Sequence, residues 1–280
     1  MSTDRPLSRG LIVFMALACG LSVANLYYAQ PLAGPISQSL GMSHAATGLV
    51  VTLTQAGYGL GLAFLVPLGD LVENRRLIVI TALCGTVALA LAALSPSAGL
   101  FLAASFLVGL GSVAAQMLVP VAAHMAPPEA RGRVVGDVMS GLITGILLSR
   151  PAASLMADHF GWRPVFYISA AAMLVLSVAM MRLLPRRAPE ADHTYPELIA
   201  SMGTLLVETP ILRRRAFYQA CMFGAFSLFW TTVPLMLAGP LYRLSQTQIA
   251  LFALAGATGA LIAPVAGRLA DRGLTRPASG

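Results

Sequence analysis

Ionised side chains are scarce in this chain. Asp, Glu, Lys and Arg together make up 10% of its 280 residues, against about 25% in soluble domains. A surface so poor in charge cannot be wetted in the ordinary way, which points away from a soluble globular fold. Lysine is absent altogether, so every basic side chain is an arginine, as fits a GC-rich bacterial coding sequence. The three cysteines, Cys19, Cys84 and Cys221, stand far apart inside apolar stretches, a pattern that offers neither a disulfide framework nor a CxxC metal site. The four histidines, His44, His124, His159 and His193, share no ligand spacing. No metal or other cofactor is implied. The chain also lacks a Gly-x-Ser-x-Gly turn and paired deep aspartates, so an intramembrane enzyme, the reading from a different class, finds no catalytic set and no catalytic residue is named.

What remains is apolar. Hydrophobic residues reach 57% and mean hydropathy is +0.78. They fall into runs of about 18–25 residues, each long enough to cross roughly 30 Å of hydrocarbon. We place spans at 11–30, 48–68, 76–94, 99–122, 136–157, 164–184, 215–237 and 247–267. The fold class is therefore all-α, a polytopic membrane bundle of about eight helices. Arg5 and Arg9 precede a first run too long for a cleaved signal core. A pI near 9.9 would suggest nucleic acid in a soluble protein. Here the arginines lie between apolar runs, so they report topology and no nucleic-acid partner is expected.

Their distribution sets an orientation. With the N-terminus inside, fifteen of the eighteen arginines face the cytoplasm, including Arg75, Arg76, Arg131, Arg133, Arg186, Arg187 and Arg213 to Arg215. Arg163 and Arg243 face out, and Arg150 sits within the fifth span. This asymmetry puts the chain in a bacterial cytoplasmic membrane with the N-terminus and the 185–213 loop inside. That loop is broken by Pro185, Pro189, Glu190 and Asp192 and contains a candidate interfacial helix, 196–208. The layout then restarts. Two spans followed by a Gly/Asp/Arg loop occur at Gly69-Asp70 with Arg75 and Arg76, and again at Gly267 with Asp271 and Arg272, as in a parallel repeat of two bundles. The expected division is 1–184 as a first six-helix bundle, 185–213 as a cytoplasmic linker, and 214–280 as the first two helices of a second bundle.

The loop Gly267 to Gly273, the segments Asn25 to Pro31, Gly141/Gly145 up to Arg150-Pro151, and Gly161 to Phe166 together resemble the major facilitator superfamily. Within it they resemble the drug:proton-antiporter-like, arabinose-efflux-permease-like exporters. The resemblance covers the whole chain and implies efflux of a small organic molecule by alternating access in a lipid bilayer, with a proton as coupling ion. Three departures stand out. Ser105 occupies the place before Gly109 where the family often has arginine. Ala152, Ala153 and Ser154 follow Arg150-Pro151 where glycines are usual. Eight spans replace twelve. The alternative reading is accordingly a non-transporting fragment or remnant of such a transporter.

The candidate residues follow from these patterns. Arg150 lies about 21 Å along its expected helix, at ~1.5 Å per residue, where a charge is costly unless it faces a cavity or partner. It lines a cavity, where it binds an anionic substrate group or modulates a proton site, or else it snorkels toward Asp158 or simply packs. The resemblance makes the first, fourth and seventh spans line the central cavity, which favours Asn25, Tyr28, Gln116, Gln219 and Trp230 over Gln55 and Tyr58 in the second; ordinary interhelical hydrogen bonding is the alternative for each. It also implies a charge-relay latch at Gly69, Asp70 and at Gly267, Asp271, with Arg75, Arg76 and Arg272 as its partners. No acid lies deep in a span; Asp137 and Asp70 stand near span ends. Gly57, Gly59, Gly61, Gly109 and Gly111 sit inside apolar runs, where small residues let helices approach closely rather than cradle a nucleotide.

Overall fold

A computed structural model of the chain describes residues 8–189 and 194–257. Its twelve α-helices among these residues are α1 Arg9–Ala24, α2 Ala29–Ser39, α3 His44–Thr47, α4 Leu49–Phe64, α5 Asn74–Leu94, α6 Ala98–Ser112, α7 Ala114–Met125, α8 Arg131–Phe160, α9 Arg163–Leu183, α10 Tyr195–Glu208, α11 Pro210–Ala238 and α12 Gln246–Ala257. No strand occurs among the described residues. Among the described residues seven stretches are long and apolar enough to cross a membrane: Arg9–Ser39, Ala45–Asp70, Asn74–Leu94, Ala98–Met125, Pro128–Phe160, Arg163–Leu183 and Pro210–Ala238. The eighth expected span begins as α12, and the rest of it lies outside the described residues.

The outward faces identify the solvent. On α5, Ile80, Leu83, Val87, Leu91 and Leu94 recur at helical spacing and are all exposed, while Ile78, Ala82, Leu89 and Ala92 are buried. A helix in water would put polar groups on that outer stripe. An apolar stripe belongs against lipid.

Small residues bring the helices together, as their spacing in the sequence suggests. The α1/α8 crossing joins Gly20 to Gly141 and Gly145; a Cβ on Gly145 would lie 2.6 Å from both the carbonyl carbon and the Cα of Gly20. Gly57 and Gly109 do the same where α4 meets α6, against the backbones of Phe106 and Thr54. In a bilayer this backbone proximity, rather than the hydrophobic effect, drives association.

Two ends of the bundle are distinguished by their arginines. At one end the Arg163 guanidinium donates to the carbonyls of Ala93 and Ser95, both at 2.9 Å, closing the C-terminus of α5. It also stacks 4.4 Å over the Trp162 ring. Trp162 and Phe166 meet Phe101 edge to face at 5.4 and 5.6 Å, which gives the Gly161 to Phe166 segment a structural role. At the arginine-rich end, Arg75 donates to the Leu184 carbonyl at 3.3 Å. The Asn74 amide donates to the Arg187 carbonyl at 2.9 Å. Helix α10 starts on a capping box between Thr194 and Glu197, and the Tyr195 hydroxyl donates to the Phe64 carbonyl.

The first span departs from the boundary expected at residue 30. It continues through Gln30 and Pro31 to Ser39, with a break at 25–28. Pro31 has no N–H to give the Tyr27 carbonyl, and the Gln30 amide takes that carbonyl instead at 3.3 Å, in a tight i→i+3 pattern begun by Leu26 and Tyr27. The fifth span likewise starts earlier than expected, its long helix beginning at Arg131 rather than 136. In the seventh, the helix begins at Pro210 rather than 215, so Arg213 and Arg214 lie inside the opening turns of α11.

Candidate functional site

The break in the first span turns Tyr27 and Gln30 toward α8, and Arg150 of α8 meets them. Its Nε donates to Gln30 Oε1 at 2.8 Å and its Nη1 to the Ile146 carbonyl at 3.0 Å. Three rings enclose the guanidinium: Tyr27 and Trp230 with centroids at 4.6 Å and Phe226 at 5.1 Å. Arg150 is only 3% exposed. The side chain thus points into the bundle, which sets snorkelling aside; Asp158, the snorkelling target, instead accepts from the Thr247 hydroxyl. Each charge-assisted bond is worth roughly 1.5–3 kcal/mol and each ring contact about 0.5–2, which explains how the bundle tolerates a guanidinium here.

The cage is assembled from distant parts of the chain. Tyr27 and Gln30 come from the first span, Arg150 from α8, and Phe226 and Trp230 from α11. Helix α11 packs on α2 and α12, and Tyr27 touches Phe226 edge to face. Gly256 of α12 leaves room for the Trp230 indole, since a Cβ there would stand 2.9 Å from it. Beyond Phe226 the other half of α11, residues 210–225, is exposed.

A groove of about 860 Å³ runs between α1 and α8. Arg9, Arg133 and Asp137 line it on the arginine-rich side, and Tyr28 and Ser149 line it beside the cage. Its walls between are mostly apolar or small, including Leu17, Leu21 and Leu148.

Comparison with known proteins places this arrangement. The sequence matches the profile described as Major Facilitator Superfamily over residues 12–279. The chain belongs to the Major Facilitator Superfamily. It is 45% identical over 96% of its length to the "Uncharacterized transporter YgaY" of Escherichia coli O157:H7, and 36% identical over 95% to the "Probable transporter SCO4007" of Streptomyces coelicolor. Of those two relatives it spans 68% and 62%. It is 26% identical over 91% of its length, and 65% of the relative's, to "Multidrug resistance protein MdtG" of Salmonella paratyphi A. Among solved structures, a bacterial homolog of the human lysosomal transporter Spinster, inward-facing and occupied, matches with a TM-score of 0.69 at 18% identity, covering 97% of this chain and 63% of that one. A D-xylose-proton symporter matches with a TM-score of 0.64 at 14% identity, over 94% and 69%. At such identities the structures establish the superfamily fold alone.

The other candidate residues of this superfamily member are distributed unevenly around the cage. Trp230 is part of it, and Tyr28 lines the groove. Asn25 is buried at the break, its Oδ1 without a hydrogen-bond partner. Gln116 donates to the Tyr58 hydroxyl at 2.9 Å, so a residue that the family pattern disfavours is the partner of one that it favours. Gln219 is exposed on α11, eleven residues from Trp230 and about 16 Å along the helix.

The loop after the second span differs from the expected pairing. Asp70 is exposed at the end of a 3-10 turn, Val66–Asp70, with Gly69 beside it, and it makes no ion pair among the described residues. Arg75 instead approaches Glu73 at 4.0 Å while donating to Leu184, and Arg76 is exposed. The turn ends the second span before the arginines arrive, and the closer acid takes Arg75. Gly267, Asp271 and Arg272 lie outside the described residues. Gln30, Tyr27 and Phe226 are the cage residues that sequence reasoning missed. The signal for Gln30 was available: no ionised residue occurs from Gly10 to Gly69, so Pro31 need not mark a membrane boundary.

Proposed function

We propose that this chain forms the greater part of a secondary transporter that exports a small organic molecule across the bacterial cytoplasmic membrane by alternating access. The observation that carries the reading is the Arg150 cage, a buried charge whose walls come from both the first span with α8 and α11. If the helices up to α9 rock against α11 and α12, the cage opens and closes with that motion. The groove from Arg9 and Arg133 to Tyr28 then becomes the approach from the cytoplasmic side. The multidrug name borne by one relative supports export over import. The arginine-rich end is taken as cytoplasmic by the positive-inside rule.

A proton is the coupling ion that the family suggests, and Asp137, which lines the groove, is the acid closest to the path among the described residues. Asp70 is read as a latch group that engages when the bundles close at that end, with Asp271 and Arg272 as its counterpart in the second loop.

The test is untargeted mass spectrometry of medium and cells after expression of the chain or of Arg150→Gln. Transport predicts at least one compound enriched in the medium by the chain and returned to the cells by the variant. An unchanged distribution of all compounds at equal membrane abundance would favour the non-transporting reading.

A further inference from the structure

Arg150 is bound by neighbours that leave its charge unanswered. A guanidinium has five N–H donors. Nε and Nη1 are engaged by Gln30 and Ile146, while Nη2 is buried without a hydrogen-bond partner. Gln30 is fully buried, and its Nε2 is likewise unpartnered. Because Gln30 Oε1 is tied to Arg150 Nε, its free amide nitrogen stands beside the guanidinium. Two unsatisfied donors thus flank one buried positive charge.

No carboxylate among the described residues forms an ion pair with it. The one ion pair among the described residues, Arg75 with Glu73, is at the arginine-rich end. On α8 itself Asp158 is eight residues away, about 12 Å, and Asp137 thirteen residues away, about 20 Å. Each is too distant for direct pairing. The rings of Tyr27, Phe226 and Trp230 stabilise the guanidinium through their faces but supply no acceptor for the free N–H groups.

We propose that the cage receives the oxyanion head of an organic anion, a carboxylate, phosphonate or sulfonate, with a planar apolar body lying against Trp230 and Phe226. Two parallel acceptor oxygens match the pair of free donors, as a bidentate carboxylate or phosphate matches arginine elsewhere. A cationic cargo would meet uncompensated like charge. A neutral amide would accept one bond and leave the charge unanswered. Trp230 and Phe226 both come from α11, so the apolar body is held by the helix that moves and the anionic head by those it moves against. This assignment of substrate class rests on the transport reading above.

Binding to the purified chain in lipid nanodiscs, measured by calorimetry, tests it with three isosteric aryl compounds: phenylacetate, phenylacetamide and phenethylammonium, with phenylphosphonate and benzenesulfonate as further anions. At least one anion is expected to bind ten-fold or more tighter than both the amide and the ammonium. Arg150→Gln should erase that preference, and Arg150→Lys should keep charge selection while weakening binding. Trp230→Leu should weaken the aryl anion more than methylphosphonate. Equal affinity for amide, ammonium and anion would overturn the proposal. So would failure of every anion to bind, or anion binding undiminished in a folded Arg150→Gln chain. Arg150-dependent anion binding without any exported compound would instead leave the site standing and remove the transport reading.

Discussion

Backbone proximity holds the α1/α8 crossing together, and Gly145→Ala measures how much depends on it. A Cβ added there would lie 2.6 Å from the Gly20 Cα and carbonyl carbon, which are backbone atoms that no side-chain rotation can move away. Carbon atoms settle at about 3.5–4.0 Å, so α1 must withdraw from α8 by about 1 Å. Overpacking of this kind costs about 1–3 kcal/mol. The same withdrawal bears on the cage, because Arg150 lies five residues, about 7.5 Å, further along α8. Its 2.8 Å bond to Gln30 would stretch beyond hydrogen-bonding range. Gly136 on the same helix has nothing within 4 Å of the place a Cβ would occupy; there alanine should be neutral or stabilising by up to about 1 kcal/mol. Reversible unfolding in mixed micelles with increasing SDS compares the two. Gly145→Ala as stable as the parent, or Gly136→Ala as damaging as Gly145→Ala, would refute close backbone packing as the source of stability.

Three further outcomes follow from local geometry. Gly161 has φ 80° and ψ 174°, a region essentially reserved for glycine, so Gly161→Ala should lower stability by about 1–3 kcal/mol in the same unfolding assay. A double-mutant cycle of Gln116→Leu and Tyr58→Phe should give a coupling energy of about 0.6 kcal/mol, and no more than about 1.7, as for other hydrogen bonds between membrane helices. Asp70→Asn should leave stability within about 0.5 kcal/mol, since Asp70 is exposed and forms no ion pair among the described residues, yet should slow export if it latches during turnover; unchanged export would remove that role.

The membrane architecture was legible because it depends on one-dimensional quantities: length of apolar runs, position of arginines and spacing of small residues. Gly141 and Gly145 could be read as a contact surface from their spacing alone, although nothing in the sequence names Ala16 and Gly20 as their partners. The cage was legible only in part. Arg150 announced itself as a charge among apolar neighbours, but the direction of its side chain is set by Gln30, 120 positions earlier, and Phe226, 76 later. Gln30 was hidden because Pro31 looks like a terminus when it is in fact the cause of an internal break. Tyr58 was hidden for a different reason: the family pattern assigns its span away from the cavity, while the structure joins it to Gln116. Asp70 and Arg75 are close in sequence, yet backbone direction through the 3-10 turn separates them and gives Arg75 to Glu73.

The proposed function requires α11 to part from α2 for the cage to open, and the proposal of alternating access stands or falls with that separation. Gly34 of α2 faces Leu235 of α11, with a Cβ at the glycine 3.4 Å from the leucine Cδ2. Cysteines placed at both positions, with Cys84 and Cys221 replaced by serine, can be tied by a short thiol-specific cross-linker. Inverted vesicles would then be assayed for uptake of the exported compound before and after cleavage of the tie. Tied protein is expected not to transport, and cleavage is expected to restore the activity. Transport at the untied rate with the cross-link complete would show that α11 and α2 need not separate.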